Sequence, residues 1–309
     1  MKRSRIVVAL LIAAAIAAGA YLVARGPRDG GTQKTWLIGM SQANLIEPWR
    51  VTMNLEFREA AQARDDLRVI YTDAAQDTER QVKDVEMLMG YGIDLLVISP
   101  NDSEVLRPVL SEVYKKIPVI VLDRAVSGED YTLFIGPDND QIGYLAGERV
   151  LEMLGDTGGT VVEVLGTEDS PPVAARQEAF RRALEGHPEI ILEDALPANW
   201  LQDQAQDRFK EYLVVHGKTA DVVVAQNDAM AYGAWLAAES LRVDGIRFIG
   251  VDGLEGDGGG AELVRQGILD ATIYCPTGGS QAVDYSLRIL SGEVLKEKQV
   301  ILEPVRIVA

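Results

Sequence analysis

Two α/β domains, each a doubly wound parallel sheet and joined by a hinge, are the fold class that the sequence predicts. Three observations lead there. Short runs of near-continuous Val, Ile and Leu, such as Leu95–Ser99, Val119–Leu122 and Val222–Ala225, read as strands buried on both faces. Segments with apolar residues at helical spacing alternate with them, as in Thr78–Met89, where Val82, Val85, Leu88 and Met89 share a face. Some ten or so such units exceed what one open sheet holds without curling or splitting, and the division falls near Pro137–Asn139.

In chain order, Trp36–Ser41 reads as the first buried strand, and Pro48–Arg64 as a helix with proline in its first turn. Strand Arg68–Thr72 and helix Thr78–Met89 follow, the latter ended by Gly90 and Gly92. Then come strand Leu95–Ser99, helix Ser103–Lys116, strand Val119–Leu122 and the short strand Leu133–Gly136. The second series runs helix Gln141–Leu154, strand Thr160–Leu165, helix Val173–Glu185, strand Ile190–Leu196 and helix Leu201–Val215. It continues with strand Val222–Ala225, helix Ala229–Ser240, strand Arg247–Val251, helix Ala261–Gln266, strand Asp270–Tyr274 and helix Ser280–Ser291. Val300–Val308 reads as one last extended segment.

The 309 residues carry 30 basic and 47 acidic side chains, a net charge of −17. Lys2, Arg3, Arg5, Arg25 and Arg28 stand in the first 28 residues, which hold no acid, so the remainder is −22, from 25 basic and 47 acidic residues. So acidic a body has no cationic surface with which to release counterions from a nucleic-acid backbone, and no nucleic-acid partner is expected. The basic start precedes the apolar run Ile6–Ala24, which reads as an export signal with a small-x-small cleavage site at Ala18-Gly19-Ala20. Its length is also close to the ~20 residues that span a bilayer, so an uncleaved anchor is the alternative. Either way the body is expected outside the cytoplasm, touching the membrane only through this segment. A single cysteine forms no internal disulfide, and two histidines leave little for a metal site; no metal or cofactor is expected.

In open α/β sheets ligands bind beyond the carboxyl ends of the strands, and with two domains face to face those ends converge on a cleft. Gln42, Asn44, Glu47, Trp49 and Arg50 follow the first strand, Asp123 and Arg124 follow Val119–Leu122, and Asp138 and Asn139 follow Leu133–Gly136. Arg176 stands in the helix after Thr160–Leu165. Asn199 and Trp200 follow Ile190–Leu196, Asn227 and Asp228 follow Val222–Ala225, and Asp252 follows Arg247–Val251. The Asp270–Tyr274 strand leads to Cys275, Pro276 and Thr277. Carboxylates and amides bridge adjacent hydroxyls, a guanidinium donates in a planar fork, and an indole covers the C–H face of a sugar ring. For any one of these residues a helix cap or polar loop explains it equally well, Asp138, Asn199 and Asp228 above all; recurrence at nearly every strand end favours a site.

The chain resembles the periplasmic sugar-binding proteins of the ribose and galactofuranose type, the substrate-binding components of ATP-driven importers. The resemblance is carried by Ile38–Gln42, Pro48-Trp49-Arg50, Gly92-Ile93-Asp94, Ile117–Arg124, Gly136–Asn139, Ala175–Phe180, Gln226–Ala231 and Gly250–Gly253. It implies a type I periplasmic binding protein, with no enzymatic activity, that takes a monosaccharide or related polyol between its domains. Asp123 and Arg124 hold ring hydroxyls from the first domain by this resemblance, and Arg176, Asn227 and Asp252 from the second. Trp49 and Trp200 sandwich the ring, Arg50 follows Trp49 as in galactofuranose-type binders, and Thr277 supplies the polar contact near Cys275. The expected division is 1–33 as signal peptide or anchor plus linker, 34–137 with 275–299 as the first domain, and 138–274 with 300–309 as the second. The implied partner of the monomeric, sugar-closed form is the membrane permease of an ABC importer. The alternative is a histidine kinase or chemoreceptor that reads the same form. A sugar-responsive repressor shares the core but needs a helix-turn-helix where this chain has its apolar segment, and is rejected. The glycine-rich stretches Gly155–Gly159 and Asp252–Asp257 have the spacing of neither a phosphate loop nor a calcium loop.

Overall fold

A computed structural model describes residues 34–168, 170–217 and 220–308. The expected export signal or anchor within 1–33 lies outside them. No helix among the described residues is long and apolar enough to cross a membrane.

The first series consists of Trp36–Gln42 (β1), Pro48–Gln62 (α1), Leu67–Asp73 (β2), Thr78–Gly90 (α2), Leu95–Ile98 (β3), Ser103–Tyr114 (α3), Val119–Leu122 (β4) and Leu133–Pro137 (β5). The second is Asn139–Leu154 (α4), Gly159–Leu165 (β6), Pro171–Ala183 (α5), Ile190–Pro197 (β7), Gln202–His216 (α6), Val222–Ala225 (β8), Asp228–Leu241 (α7), Arg247–Asp252 (β9), Gly260–Arg265 (α8) and Ala271–Tyr274 (β10). Gly279–Leu290 (α9), Gln299–Leu302 (β11) and Val305–Val308 (β12) complete the chain.

Two six-stranded sheets result, ordered β11-β5-β4-β3-β1-β2 and β12-β10-β9-β8-β6-β7. The first is parallel throughout. In the second only β12 runs antiparallel, against β10. In each sheet the winding direction reverses beside the first strand of its series, β1 or β6, and this reversal opens a crevice at the carboxyl ends of the strands.

The apolar strand runs are explained by burial on two faces. Along β3 and β4, Leu95, Val97, Ile120 and Leu122 pack on the side of Met53 and Phe57 from α1 and Val283 from α9. Their neighbours Leu96, Ile98, Val119 and Val121 pack on Val85 and Leu88 from α2 and Leu106 and Leu110 from α3. The second sheet repeats the plan, with Val222, Val224, Ile249 and Val251 toward α4 and α5, and Val223, Ala225 and Phe248 toward α6 and α7.

One expectation needs correction. The sequence pattern puts the whole stretch 300–309 in the second domain as a single extended segment. Instead β11 extends the first sheet beside β5, pairing Val300 with Ile135, and only β12 joins the second. Glu303 and Pro304 interrupt the strand, because proline brings no N–H to a ladder and lets the chain pass to the other lobe. The chain thus crosses between lobes after β5, after β10 and between β11 and β12.

Helices α4 and α5 approach closely through glycine. A Cβ on Gly143 would stand 2.1 Å from the carbonyl oxygen of Arg176, and one on Gly147 2.5 Å from Ala183 Cβ. Gly→Ala inside a helix ordinarily stabilises by about 1 kcal/mol. Gly143→Ala is expected to reverse that sign and cost ~1–3 kcal/mol through overpacking, read as a lower urea midpoint with an unchanged m value.

Candidate functional site

Beyond the strand ends the two lobes enclose a cleft lined by Glu47, Trp49, Arg50, Asp123 and Arg124 from one side, and by Pro172, Arg176, Trp200, Asn227 and Asp252 from the other. It holds about 370 Å³ of empty space, part of it open to solvent.

In the first lobe Arg50 is almost fully buried and is locked in place. Nη1 donates to Ser99 Oγ at 2.6 Å, Nη2 donates to Asp123 Oδ2 at 2.8 Å, and Nε lies 3.5 Å from Glu47 Oε1. Asn44 Nδ2 donates to that same Glu47 oxygen at 2.6 Å. The second oxygen of each carboxylate is left for whatever enters. Arg124 Nη1 donates to the carbonyl of Asn101 at 2.6 Å, and burial, then the nearby charge of Arg50, pulls its pKa down to about 10. Trp49 donates its Nε1–H to the carbonyl of Cys275 at 2.7 Å, which leaves only the ring face for the cleft.

In the second lobe Arg176 is held from three directions. Nε donates to Asn139 Oδ1 at 2.8 Å, Nη1 to the carbonyl of Gln226 at 2.6 Å, and Nη2 to Cys275 Sγ at 3.7 Å. Its guanidinium lies 5.7 Å from the ring centre of Trp200. Asn227 caps α7 by accepting from Met230 N at 2.7 Å, and donates to the carbonyl of Trp200 at 3.0 Å. Gly166 makes room for the indole, since a Cβ there would lie 2.1 Å from the ring. Asp252 has only the cleft before it: burial, then the charge of Asp228 behind it, hold its carboxyl well above the usual range, with Arg176 opposing.

Positive φ angles gather here. Asp123 (73°), Asn199 (51°), Trp200 (67°) and Asp252 (121°) are four of the seven such non-glycine residues among those described. Each costs on the order of 1–3 kcal/mol and persists only where surrounding contacts over-determine it.

Eight of the eleven expected site residues line the cleft: Trp49, Arg50, Asp123, Arg124, Arg176, Trp200, Asn227 and Asp252. Three do not. Asp138 caps α4 by accepting from Gln141 N at 2.9 Å, and Asn139 spends its side-chain oxygen on Arg176. Thr277 is buried in the crossing, donating to Glu56 and accepting from Gly279 N. A polar residue after a strand serves a helix start or a cleft equally, and the sequence does not distinguish them. Glu47 and Pro172 join the lining beyond the expected set. Both stand at helix starts after the first strand of a series, Glu47 at the residue before α1 and Pro172 within the first turn of α5, so the repeated design of the lobes was the signal for Pro172. Asp228 is not the cap once considered for it: Asn227 caps α7, and the Asp228 carboxylate turns inward to accept from Thr272 Oγ1 and Gly253 N.

The lining carries three carboxylates (Glu47, Asp123, Asp252) and three guanidinium groups (Arg50, Arg124, Arg176). Its formal charge is zero, which suits a neutral ligand rich in groups that both donate and accept.

Two α/β lobes closing over a charge-balanced cleft, with one tryptophan from each, define a two-lobed binding protein of type I architecture. Residues 38–293 match the family model described as periplasmic binding protein domain, and the chain belongs to that family. It is 27% identical over 246 residues to the xylitol-binding protein of Mycolicibacterium smegmatis, covering 79% of this chain and 70% of that one. It is also 27% identical over 267 residues to the ribose import binding protein RbsB of Salmonella typhimurium, covering 84% and 87%. Among solved structures, the fructose-binding periplasmic domain of a hybrid two-component system superposes with a TM-score of 0.84 at 33% identity, covering 88% of this chain and 90% of that one. An ABC transporter solute-binding protein from Mycobacterium smegmatis with bound glycerol gives 0.82 at 28%, covering 89% and 94%.

Burial lifts the Asp228 carboxyl to about 7, and Asp252 is raised with it. The folded protein therefore keeps protons that the unfolded chain, with ordinary carboxylates, has released. Stability from Asp228 is complete below about pH 4 and is lost as pH rises through about 7. The melting temperature of ligand-free protein, followed from pH 5 to pH 8, is expected to fall more for wild type than for Asp228→Asn; equal falls would contradict it.

Proposed function

We propose that this protein captures a neutral monosaccharide, or a closely related polyol, outside the cytoplasm and delivers it to the permease of an ABC importer. The observation that carries the reading is the neutral, buried lining, three carboxylates against three guanidinium groups between two indole faces, supplied by both lobes. Asp123, Arg124, Arg176, Asn227 and Asp252 pair with hydroxyl groups in this reading, Trp49 and Trp200 cover the C–H faces, and Arg50 and Glu47 complete the wall. A ligand touching both lobes binds the closed form more tightly than the open one, and closure about the three crossings follows from that difference. The permease then reads the closed form, and the protein acts as a monomer. Residues 1–33 export or anchor the body.

No turnover is proposed. His187 pairs with Glu189 and His216 stacks on Tyr212, and neither is among the residues lining the cleft, while burial pushes the Cys275 thiol far up, away from the reactive thiolate.

A second reading keeps the ligand and changes the partner, the closed form being read by a sensor kinase. The likeness to a periplasmic domain of a two-component system favours it. Deleting the gene separates the two. Loss of labelled-sugar uptake supports the importer, whereas intact uptake with lost sugar-induced transcription supports the sensor.

A thermal-shift screen of pentoses, hexoses and polyols tests the ligand class. Binding at a hundredfold excess over Kd adds about 2.7 kcal/mol, a rise of roughly 5–10 °C for a chain of this size. No shift with any of them would sink the sugar reading. With the sugar in hand, Asp123→Ala and Asn227→Ala should each weaken binding by ~1–3 kcal/mol, because partner groups are left buried and unpaired. Isothermal titration measures this, and wild-type affinity in either variant would remove that residue from the site.

A further inference from the structure

Asp228 lines no part of the cleft, yet it is buried directly behind it. Its Oδ1 accepts from Thr272 Oγ1 at 2.6 Å, and its Oδ2 from Gly253 N at 2.7 Å. Two glycines make space for this carboxylate: a Cβ on Gly250 would lie 2.1 Å from Oδ1, and one on Gly260 1.9 Å from Oδ2. Gly253 is the residue after Asp252. The bond from its amide therefore holds a turn in which Asp252 sits at φ 121° and Gly253 at φ 61°, angles that leave the Asp252 carboxylate aimed at the cleft.

The charges facing Asp252 come from every side of the cleft. Asp228 stands behind it at the start of α7, and Arg176 faces it from α5. Glu47 and Asp123 face it from the opposite lobe, and the Cys275 thiol lies at the end of β10. Arg50 and Arg124 stand in the opposite wall, Arg50 already paired with Asp123 and Arg124 with the Asn101 carbonyl, while Arg176 on the same side donates to Asn139, Gln226 and Cys275. Two buried carboxyl groups side by side, whose neighbouring guanidinium groups already serve other acceptors, do not both ionise at low cost.

We propose that Asp228 is a positioning residue for Asp252: it fixes the turn that aims the Asp252 carboxylate into the cleft and, as the second acid of a buried pair, makes ligand capture release a proton to solvent. The inference rests on the reading of the ligand as a neutral polyol. A ligand hydroxyl donating to Asp252 favours the ionised carboxylate, so ligand and proton compete for it. Affinity then rises with pH until the pair has lost its proton, a loss that burial moves up from the ordinary carboxylate range, to about 7 for Asp228.

The test is isothermal titration of the full protein with D-ribose, D-xylose, D-fructose, xylitol and myo-inositol at four pH values from 5.5 to 8.5. For whichever of them binds, Kd is expected to fall with rising pH, by up to about tenfold per pH unit for one proton, and to level off near the top of the range. Titration at pH 6.5 in buffers of different ionisation enthalpy should show net proton release. Asp228→Asn keeps an acceptor for Gly253 N and a partner for Thr272 while removing the second charge. It should bind with a nearly flat pH profile and little proton release. Asp228→Ala loosens the turn as well, and should weaken binding at least tenfold at every pH. A wild-type pH profile in Asp228→Asn, or no proton release by wild type, overturns this inference and leaves the sugar reading standing. Binding by none of the five overturns this inference together with the sugar reading.

Discussion

Charge taken out of water has to be balanced inside the protein, and most of what surrounds the cleft follows from that constraint. Three arginines and three carboxylates are nearly excluded from solvent there. Removing one partner of such a group leaves the other buried and uncompensated, at a cost of several kcal/mol on the order seen for broken buried pairs. Each guanidinium is accordingly tied down before any ligand arrives: Arg50 to Ser99 and Asp123, Arg124 to the Asn101 carbonyl, Arg176 to Asn139 and the Gln226 carbonyl. The close approach of α4 to α5 falls at the backbone of Arg176 itself, and Asp123 and Asp252 both sit at positive φ. Rigid donors and acceptors lose little entropy on binding, and this preorganisation supports discrimination among sugars that differ by one hydroxyl.

The lobes share a plan and divide the electrostatic work unequally. In the first, Asp123 has Arg50 at 2.8 Å and is settled without a ligand. In the second, Asp252 has no such partner and stands before the acids of the opposite lobe. Asp252 is thus the acid whose hydrogen bonds a hydroxyl-rich ligand in the cleft would complete. A ligand shifts a conformational equilibrium only by binding one state more tightly than the other.

Much of the fold was legible because buried parallel strands leave a simple trace. Leu95–Ile98, Val119–Leu122 and Val222–Ala225 have no polar face, and their helices carry the complementary stripe. The break at Glu303-Pro304 was in plain view, but not its meaning, because the choice of sheet for β11 and β12 depends on which edges are free. Asp123, Arg176 and Asp252 were legible as polar residues after apolar strands. Asp138, Asn139 and Thr277 bear the same mark and serve a helix cap, an arginine and a crossing instead.

By itself the sequence determined the α/β class, the order of most strands and helices, the acidic charge of the body, and the strand ends at which chemistry would gather. These are local properties: periodicity, composition and the polarity of the residue that follows a buried run. The tertiary structure alone decided which strand-end residues meet, that Glu47 and Pro172 stand among them, that β11 serves the first sheet, and that Asp228 lies behind Asp252. Those depend on distances between residues far apart in the chain, set by two sheets facing each other, and no spacing along one strand encodes them.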